Sequence, residues 1–115
     1  MTLTELERKR FEKAASQFIE ARRPAPEIRP KLDLGFRLEG QSIEIFEIRP
    51  AWQDPSETME NSVAKATYVK RAKEWRVYWQ RADLRWHSYE PHPTASSIEE
   101  FLQVVDEDAY CCFFG

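Results

Sequence analysis

The chain has 115 residues, 42% of them hydrophobic and 32% charged, with a net charge of −3. That composition fits one globular domain with its own core and excludes a disordered chain; three glycines leave no room for a Gly-rich phosphate loop. The charge is uneven: residues 1–37 carry nine Lys/Arg against six Asp/Glu, and residues 84–115 carry one against six. Such asymmetry suits a basic partner surface, head-to-tail self-complementarity, or two solvated helix faces.

The N-terminus opens on charge with no apolar h-region, so no signal peptide is expected. No apolar run approaches the length of a membrane span. Residues 4–22 read as a helix: Thr4 and Glu7 make a capping-box pattern, and Phe11, Ala14, Ala15, Phe18 and Arg22 fall on one stripe. Three prolines, Pro24, Pro26 and Pro30, end it and predict an extended connector.

Leu32 to Leu38 alternates apolar and polar residues, as a half-buried strand does. A turn at Glu39-Gly40 leads into a second strand, Ser42 to Ile48, and would set Phe36 opposite Ile43 and Leu34 opposite Ile45. Phe46 breaks the alternation and marks a bulge or a two-sided strand. Residues 49–61 read as a long loop in which Trp52 is expected to plug one end of the core. Three strands follow as a meander: Ser62 to Val69, Glu74 to Arg81, and Leu84 to Tyr89, joined by loops at 70–73 and 82–83. Ser96 and Glu99 form a second capping-box pattern, opening a short helix over 97–105 with the stripe Ile98, Phe101, Leu102 and Val105. The apolar tail 109–115 is expected to dock as an edge strand. Its Cys111 and Cys112 are neighbours that rarely reach disulfide geometry, so a reducing compartment, the cytoplasm, is expected. Strands joined by hairpins and loops, with helices at both ends, define an α+β fold: a five-stranded antiparallel meander with an N-terminal helix and a short C-terminal helix.

Register divides the meander into two faces. Pairing Val69 with Glu74 sets Ala66 against Val77 and Ala64 against Trp79, small beside large on a core face. A two-residue turn at Ala82-Asp83 then sets Trp79 against Trp86 and Tyr78 against His87. The opposite face collects Lys65, Arg76, Tyr78, Arg85, His87 and Tyr89, cations among aromatics that could grip an anionic polymer or an acidic protein segment. The plainer reading is a solvated sheet face. Ala-Asp is a weak two-residue turn, and a three-residue loop would shift the register and swap faces.

Arg49-Pro50-x-Trp52, Ala64-Lys65, Trp75-x-x-Tyr78-Trp79-x-Arg81-x-Asp83-Leu84-x-Trp86-His87-x-Tyr89 and the terminal Asp106-x-x-x-x-x-x-Phe113-Phe114-Gly115 resemble the bacterial domain-of-unknown-function family 3024. The resemblance runs from about residue 29 onward. It implies a bacterial cytoplasmic protein and transfers no activity and no functional residue.

Catalytic chemistry finds little to stand on. His87 and His92 have no recognised metal spacing, and neither CxxC nor HExxH occurs. A helix followed by three strands is the opening order of a restriction-endonuclease-like core, and Glu44, Glu47 and Lys65 could serve a small metal-dependent hydrolase. Val63, however, stands where Glu-x-Lys needs its Glu. A thiol in an apolar tail is usually inert, and a final Gly is not a usual prenylation end. The expectation is a non-enzymatic binding module without cofactor or metal. It would use the polar-aromatic face for a protein partner or a second copy, with nucleic acid a weaker alternative and no membrane.

Overall fold

The computed structural model describes residues 3–108 and 112–113. Its elements in chain order are α1 (Glu5–Arg22), β1 (Asp33–Glu39), β2 (Ser42–Pro50), β3 (Thr58–Val69), β4 (Glu74–Gln80), β5 (Trp86–Ser88), β6 (Thr94–Ala95) and α2 (Ile98–Glu107). The strands form one antiparallel sheet in the order β1-β2-β3-β4-β5, with β6 pairing β4 beside β5. The α+β architecture and its terminal helices are therefore those expected. The two-residue β6, which pairs Ala95 with Trp75, is too short to leave a periodic signal.

α1 begins where the capping box predicts: Thr4 Oγ1 accepts from Glu7 N at 3.1 Å, and Glu7 Oε1 accepts from Thr4 N at 2.8 Å. Phe11, Ala15 and Ile19 are its buried side chains. The proline-rich connector is not extended. Ile28 and Arg29 N both donate to Ala25 O, and Lys31 and Leu32 N both donate to Ile28 O, so it coils through successive turns. α2 starts one residue later than its pattern suggests. Its cap is Ser97, whose hydroxyl accepts from Glu100 N at 3.1 Å. Glu100 also takes the Ser96 amide and hydroxyl and sits 2.8 Å from His92 Nε2, which ties the preceding loop to the helix. The tail expected as an edge strand lies outside the described residues except 112–113. There Phe113 is buried against Tyr89, ring centroids 4.7 Å apart.

Both helices join one hydrophobic cluster on one side of the sheet. Trp75 lies at its centre, 1% exposed, with Phe11 edge-on at 4.8 Å and Tyr68 at 5.0 Å. The β3–β4 register is the expected one, Ala66 opposite Val77 and Ala64 opposite Trp79. Fully buried alanines leave room for the bulk of Trp75 and Trp79. The charge asymmetry is partly satisfied within the chain: Arg10 of basic α1 pairs with Glu99 of acidic α2 at 2.9 Å, and Arg22 pairs with Asp106.

Three turns differ from expectation. The first hairpin turns at Gly40-Gln41, so Leu38 faces Ile43 and Phe36 faces Ile45; Gly40 takes φ +56°, which primed hairpin turns require. β2 and β3 run on to Pro50 and back from Thr58, leaving a loop of 51–57 in place of 49–61. A bulge between Ile45 and Phe46 leaves Val63 of β3 as the extra, buried residue. Last, Ala82-Asp83 is not a two-residue turn. Arg81 N donates to Arg85 O and Leu84 N to Arg81 O, while Leu84 sits at φ +63°. This is the three-residue hairpin in which the last loop residue is left-handed. The register moves by one, to Trp79 opposite His87 and Tyr78 opposite Ser88.

Two consequences are measurable. Leu84 is 76% exposed and gains little packing to offset its left-handed backbone. Leu84→Gly should raise stability by about 0.5–1 kcal/mol, read as a higher urea midpoint at unchanged slope. A lower midpoint would show that this conformation is not the strained one. The second concerns the bidentate pair of Arg23 and Asp33, at 2.8 and 2.7 Å, which fastens the end of α1 to β1. The Arg23 guanidinium holds the Asp33 carboxyl below its ordinary value, helped by the Leu34 amide. A depressed carboxylate stabilises the fold above its unfolded value and loses that contribution as pH falls through its folded value. Asp33→Asn should thus be less stable than the natural chain at neutral pH, with the gap shrinking below about pH 4; thermal melts that show the same gap at both pH values would refute it.

Candidate functional site

The odd register decides which of the six candidate residues share a surface. On the sheet face turned away from the helices, Lys65 lies opposite Tyr78 and Thr67 opposite Arg76, as expected. His87 and Tyr89 are not on that face. His87 pairs with Trp79 on the core side, and Tyr89 is buried in the core at 2% exposure. Arg85 closes the hairpin loop, its carbonyl accepting from Arg81 N. Ser88 takes the place opposite Tyr78 expected for His87, and Trp86, read from the sequence as core, turns to this face, where it pairs with Gln80 and its ring centroid lies 5.8 Å from Lys65 Nζ. Only the left-handed Leu84 separates the two outcomes.

The uncovered face has two halves. Over β1 and β2, Arg37 reaches Glu60 at 2.7 Å and lies near Glu44 and Glu39. These carboxylates raise the Arg37 guanidinium above its ordinary value, Glu60 most of all. Glu44 also accepts from Ser62 at 2.6 Å. Arg37 stacks on Phe46, guanidinium carbon 4.9 Å from the ring centroid. Among the described residues Phe46 is the one aromatic on this side that is buried, its ring lying against Gly35. A small hollow of about 190 Å³ opens between Arg37, Ser42, Glu44 and Lys65. Over β3 to β5 the face carries Lys65, Thr67, Arg76, Tyr78 and Trp86, with Glu74 at its far margin.

A second surface forms at the end of the sheet where β4 stops. A cleft of about 410 Å³ is lined by Trp79, Arg81, His87, Tyr89, Pro91 and Cys112, among others. Arg81 lies over the Trp79 ring at 5.6 Å. His87 Nε2 is 2.9 Å from Asp83 Oδ2, and the Arg85 amide and His87 together hold the Asp83 carboxyl below its ordinary value. Sequence reading missed this cleft because it assigned Trp79 and His87 to opposite faces.

The catalytic constellations do not assemble. Glu44 faces outward beside Lys65, whereas Glu47 lies on the other side of β2 with Arg49 at 3.3 Å. Among the described residues no group of three His, Cys, Asp or Glu could hold a metal ion. Nor is any described helix long and apolar enough to cross a membrane. Trp52, expected as a core plug, is 84% exposed.

What these features define is a two-layer α+β domain, helices on one side of the sheet, with a bare polar-aromatic face and a terminal cleft. The chain belongs to the family described as Domain of unknown function (DUF3024), whose model matches residues 3–115. No curated protein and no solved structure matches it.

Gly35 tests how the bare face is built. A Cβ there would stand 2.9 Å from Phe46 Cε2. Gly35→Ala should therefore displace the ring and cost about 1–3 kcal/mol in chemical denaturation. An unchanged midpoint would mean that Phe46 can move aside freely and does not anchor this face.

Proposed function

We propose that this protein is a non-enzymatic interaction module that binds an acidic protein segment across β3, β4 and β5. The observation that carries the reading is the face itself: both helices pack on the other side, leaving Lys65, Arg76, Tyr78 and Trp86 together on strands that no described element covers. Two cations flanked by two aromatic rings supply charge for carboxylates and flat apolar area for the intervening backbone.

Charge balance favours a protein segment over nucleic acid. The carboxylates of the face are gathered on the β1–β2 half around Arg37 and would repel a long polyanion. The remaining cations, Lys65 and Arg76, could neutralise about two phosphates, whereas specific nucleic-acid binders use many more. A short acidic segment needs only this smaller footprint.

Trp86 provides the readout. Titration with a short oligoglutamate peptide at low salt should change tryptophan emission saturably, and raising the salt should reverse it. Lys65→Glu with Arg76→Glu should weaken binding at least about tenfold, since both substitutions lie on solvent-facing strand positions. An oligothymidylate of similar length should bind more weakly than the peptide. Tighter binding of the oligonucleotide would replace the proposed partner with a nucleic acid, and no response to either would remove this face as an anion-binding surface.

A further inference from the structure

The cations of the sheet face continue to the end of the β3–β4 hairpin. Residues 64–79, its paired part with the turn, hold five Lys/Arg, namely Lys65, Lys70, Arg71, Lys73 and Arg76, and one acidic residue, Glu74. Lys70 is engaged at the turn, where its ammonium meets Glu7 of α1 at 3.1 Å. Among the described residues the other four cations pair with no carboxylate, and Arg71, Lys73 and Arg76 are exposed. Lys65 has a carboxylate directly across the strand pair, Glu44. Yet Glu44 accepts from Ser62 and lies 4.0 Å from Arg37, while the Lys65 ammonium turns to the Trp86 ring. Glu39 and Glu60 also gather around Arg37, on the β1 side. The turn itself is fixed: Ala72 N donates to Val69 O at 3.1 Å, Lys73 N donates to Lys70 O at 3.2 Å, and the Lys70–Glu7 pair ties it to α1.

Register places these groups in rows. Trp86 and Gln80 form the first, Lys65 and Tyr78 the second, Thr67 and Arg76 the third, and Val69 and Glu74 the fourth, with the turn that carries Arg71 and Lys73 beyond. Rows on one face of a strand are about 6.8 Å apart, two residues at about 3.4 Å each. An extended peptide laid lengthwise over the hairpin repeats its own side chains at the same interval. Read from Trp86, the rows match an apolar side chain, an acidic one, a second acidic one, an uncharged one over Glu74, and an acidic one at the turn. The skipped position separates a peptide from a nucleic acid. A nucleic acid carries a phosphate on every nucleotide and sets one near Glu74, whereas a peptide can leave that position neutral.

We infer that the bound acidic segment lies lengthwise along the β3–β4 hairpin, from Trp86 to the 70–73 turn, with acidic residues at alternate positions interrupted by an uncharged residue over Glu74. This rests on the proposed binding of an acidic segment and adds the spacing of its charges and the extent of its footprint.

Two peptides test it, each made in both chain directions. Both begin with Leu, carry Ser at the even positions and carry Glu at the third, fifth and ninth; the seventh is Ser in one and Glu in the other. In titrations followed by tryptophan emission at low salt, the peptide with Ser at the seventh position should bind about threefold more tightly in one chain direction, although it has one charge fewer. Glu74→Gln should abolish that preference, and Arg71→Glu with Lys73→Glu should weaken both peptides. Equal or tighter binding of the peptide with the additional Glu, in both directions, overturns the inference and leaves the proposed face standing. A preference that persists in Glu74→Gln overturns it as well, and so does an Arg71→Glu, Lys73→Glu variant that binds like the natural chain. Binding of neither peptide removes the proposed face and this inference together. An oligothymidylate that binds more tightly than both peptides would assign the track to nucleic acid and overturn the inference.

Discussion

The packing depends on the space above Ala64 and Ala66. A one-sided sheet of this size has a single core layer, and its largest residue, Trp75, must be fully covered within it. Fully buried Ala66 and Ala64 share this face of β3 with Tyr68, the cross-strand neighbour of Trp75, and Phe11 of α1 meets the Trp75 ring edge-on at 4.8 Å. A larger side chain at either alanine would lift the tryptophans into the helices. The helix position follows from this fit. Ala15 and Ile19 then descend on the sheet beside β1, and Arg10 and Arg22 come within reach of Glu99 and Asp106 on α2. Polar pairing between the helices is thus a result of the aromatic packing beneath them.

The same layer explains why the β4–β5 hairpin uses an unfavourable residue. With Leu84 left-handed, the odd register turns Tyr89 inward, where it is buried and meets Phe113, and turns Trp86 outward. In the even register Trp86 would enter beside Trp79, with two indoles crowding one end of the core. The local backbone cost of about 1–2 kcal/mol for a left-handed residue is small beside the cost of overpacking, which reaches a few kcal/mol. Asp83 adds local support by accepting from the Arg85 amide and holding His87. The hairpin therefore creates both the outward Trp86 and the inward-lined cleft through one displaced residue.

Legibility follows the range of the determining interactions. The α1 cap, the long elements and the β3–β4 pairing rest on signals within a few residues, such as Thr4 with Glu7 or the alternation that sets Ala64 opposite Trp79 and Ala66 opposite Val77, and these were readable. Where two local solutions were nearly equal, sequence alone did not choose: Ser96 and Ser97 both offer a cap, and Glu39-Gly40 and Gly40-Gln41 both offer a turn. Leu84 could not be read as left-handed because nothing in a leucine favours that region. Of the six candidate residues, Lys65, Arg76 and Tyr78 fell where expected because the hairpin before β4 was read correctly. His87 and Tyr89 changed sides with the slip of one residue, and the same slip turned Trp86 outward and set His87 beside Trp79. Trp52 was misjudged for another reason: β2 and β3 stay paired past their neighbours as far as Pro50 and Thr58, which carries its loop beyond the core.

That extension bears on how a sheet with an open edge stays specific. β1 is an edge strand, the usual place for uncontrolled strand pairing. Here its two ends are occupied by α1: Arg8 donates to Leu38 O at 3.0 Å, and Arg23 holds Asp33. Charged side chains thus stand over the edge where another strand would pair. The protruding part of β3 faces a different situation, since Thr58 to Ser62 extend past the end of β4 and carry an exposed methionine with a tryptophan beyond it. If generic adhesion were tolerated there, the loop would not need to be built. Instead Asp54 Oδ1 accepts from both the amide and the hydroxyl of Ser56 to fix the turn, and the acidic residues around it discourage like segments from stacking. Charge beside an apolar ring recurs on the sheet face turned away from the helices, in Arg37 over Phe46 and Lys65 beside Trp86.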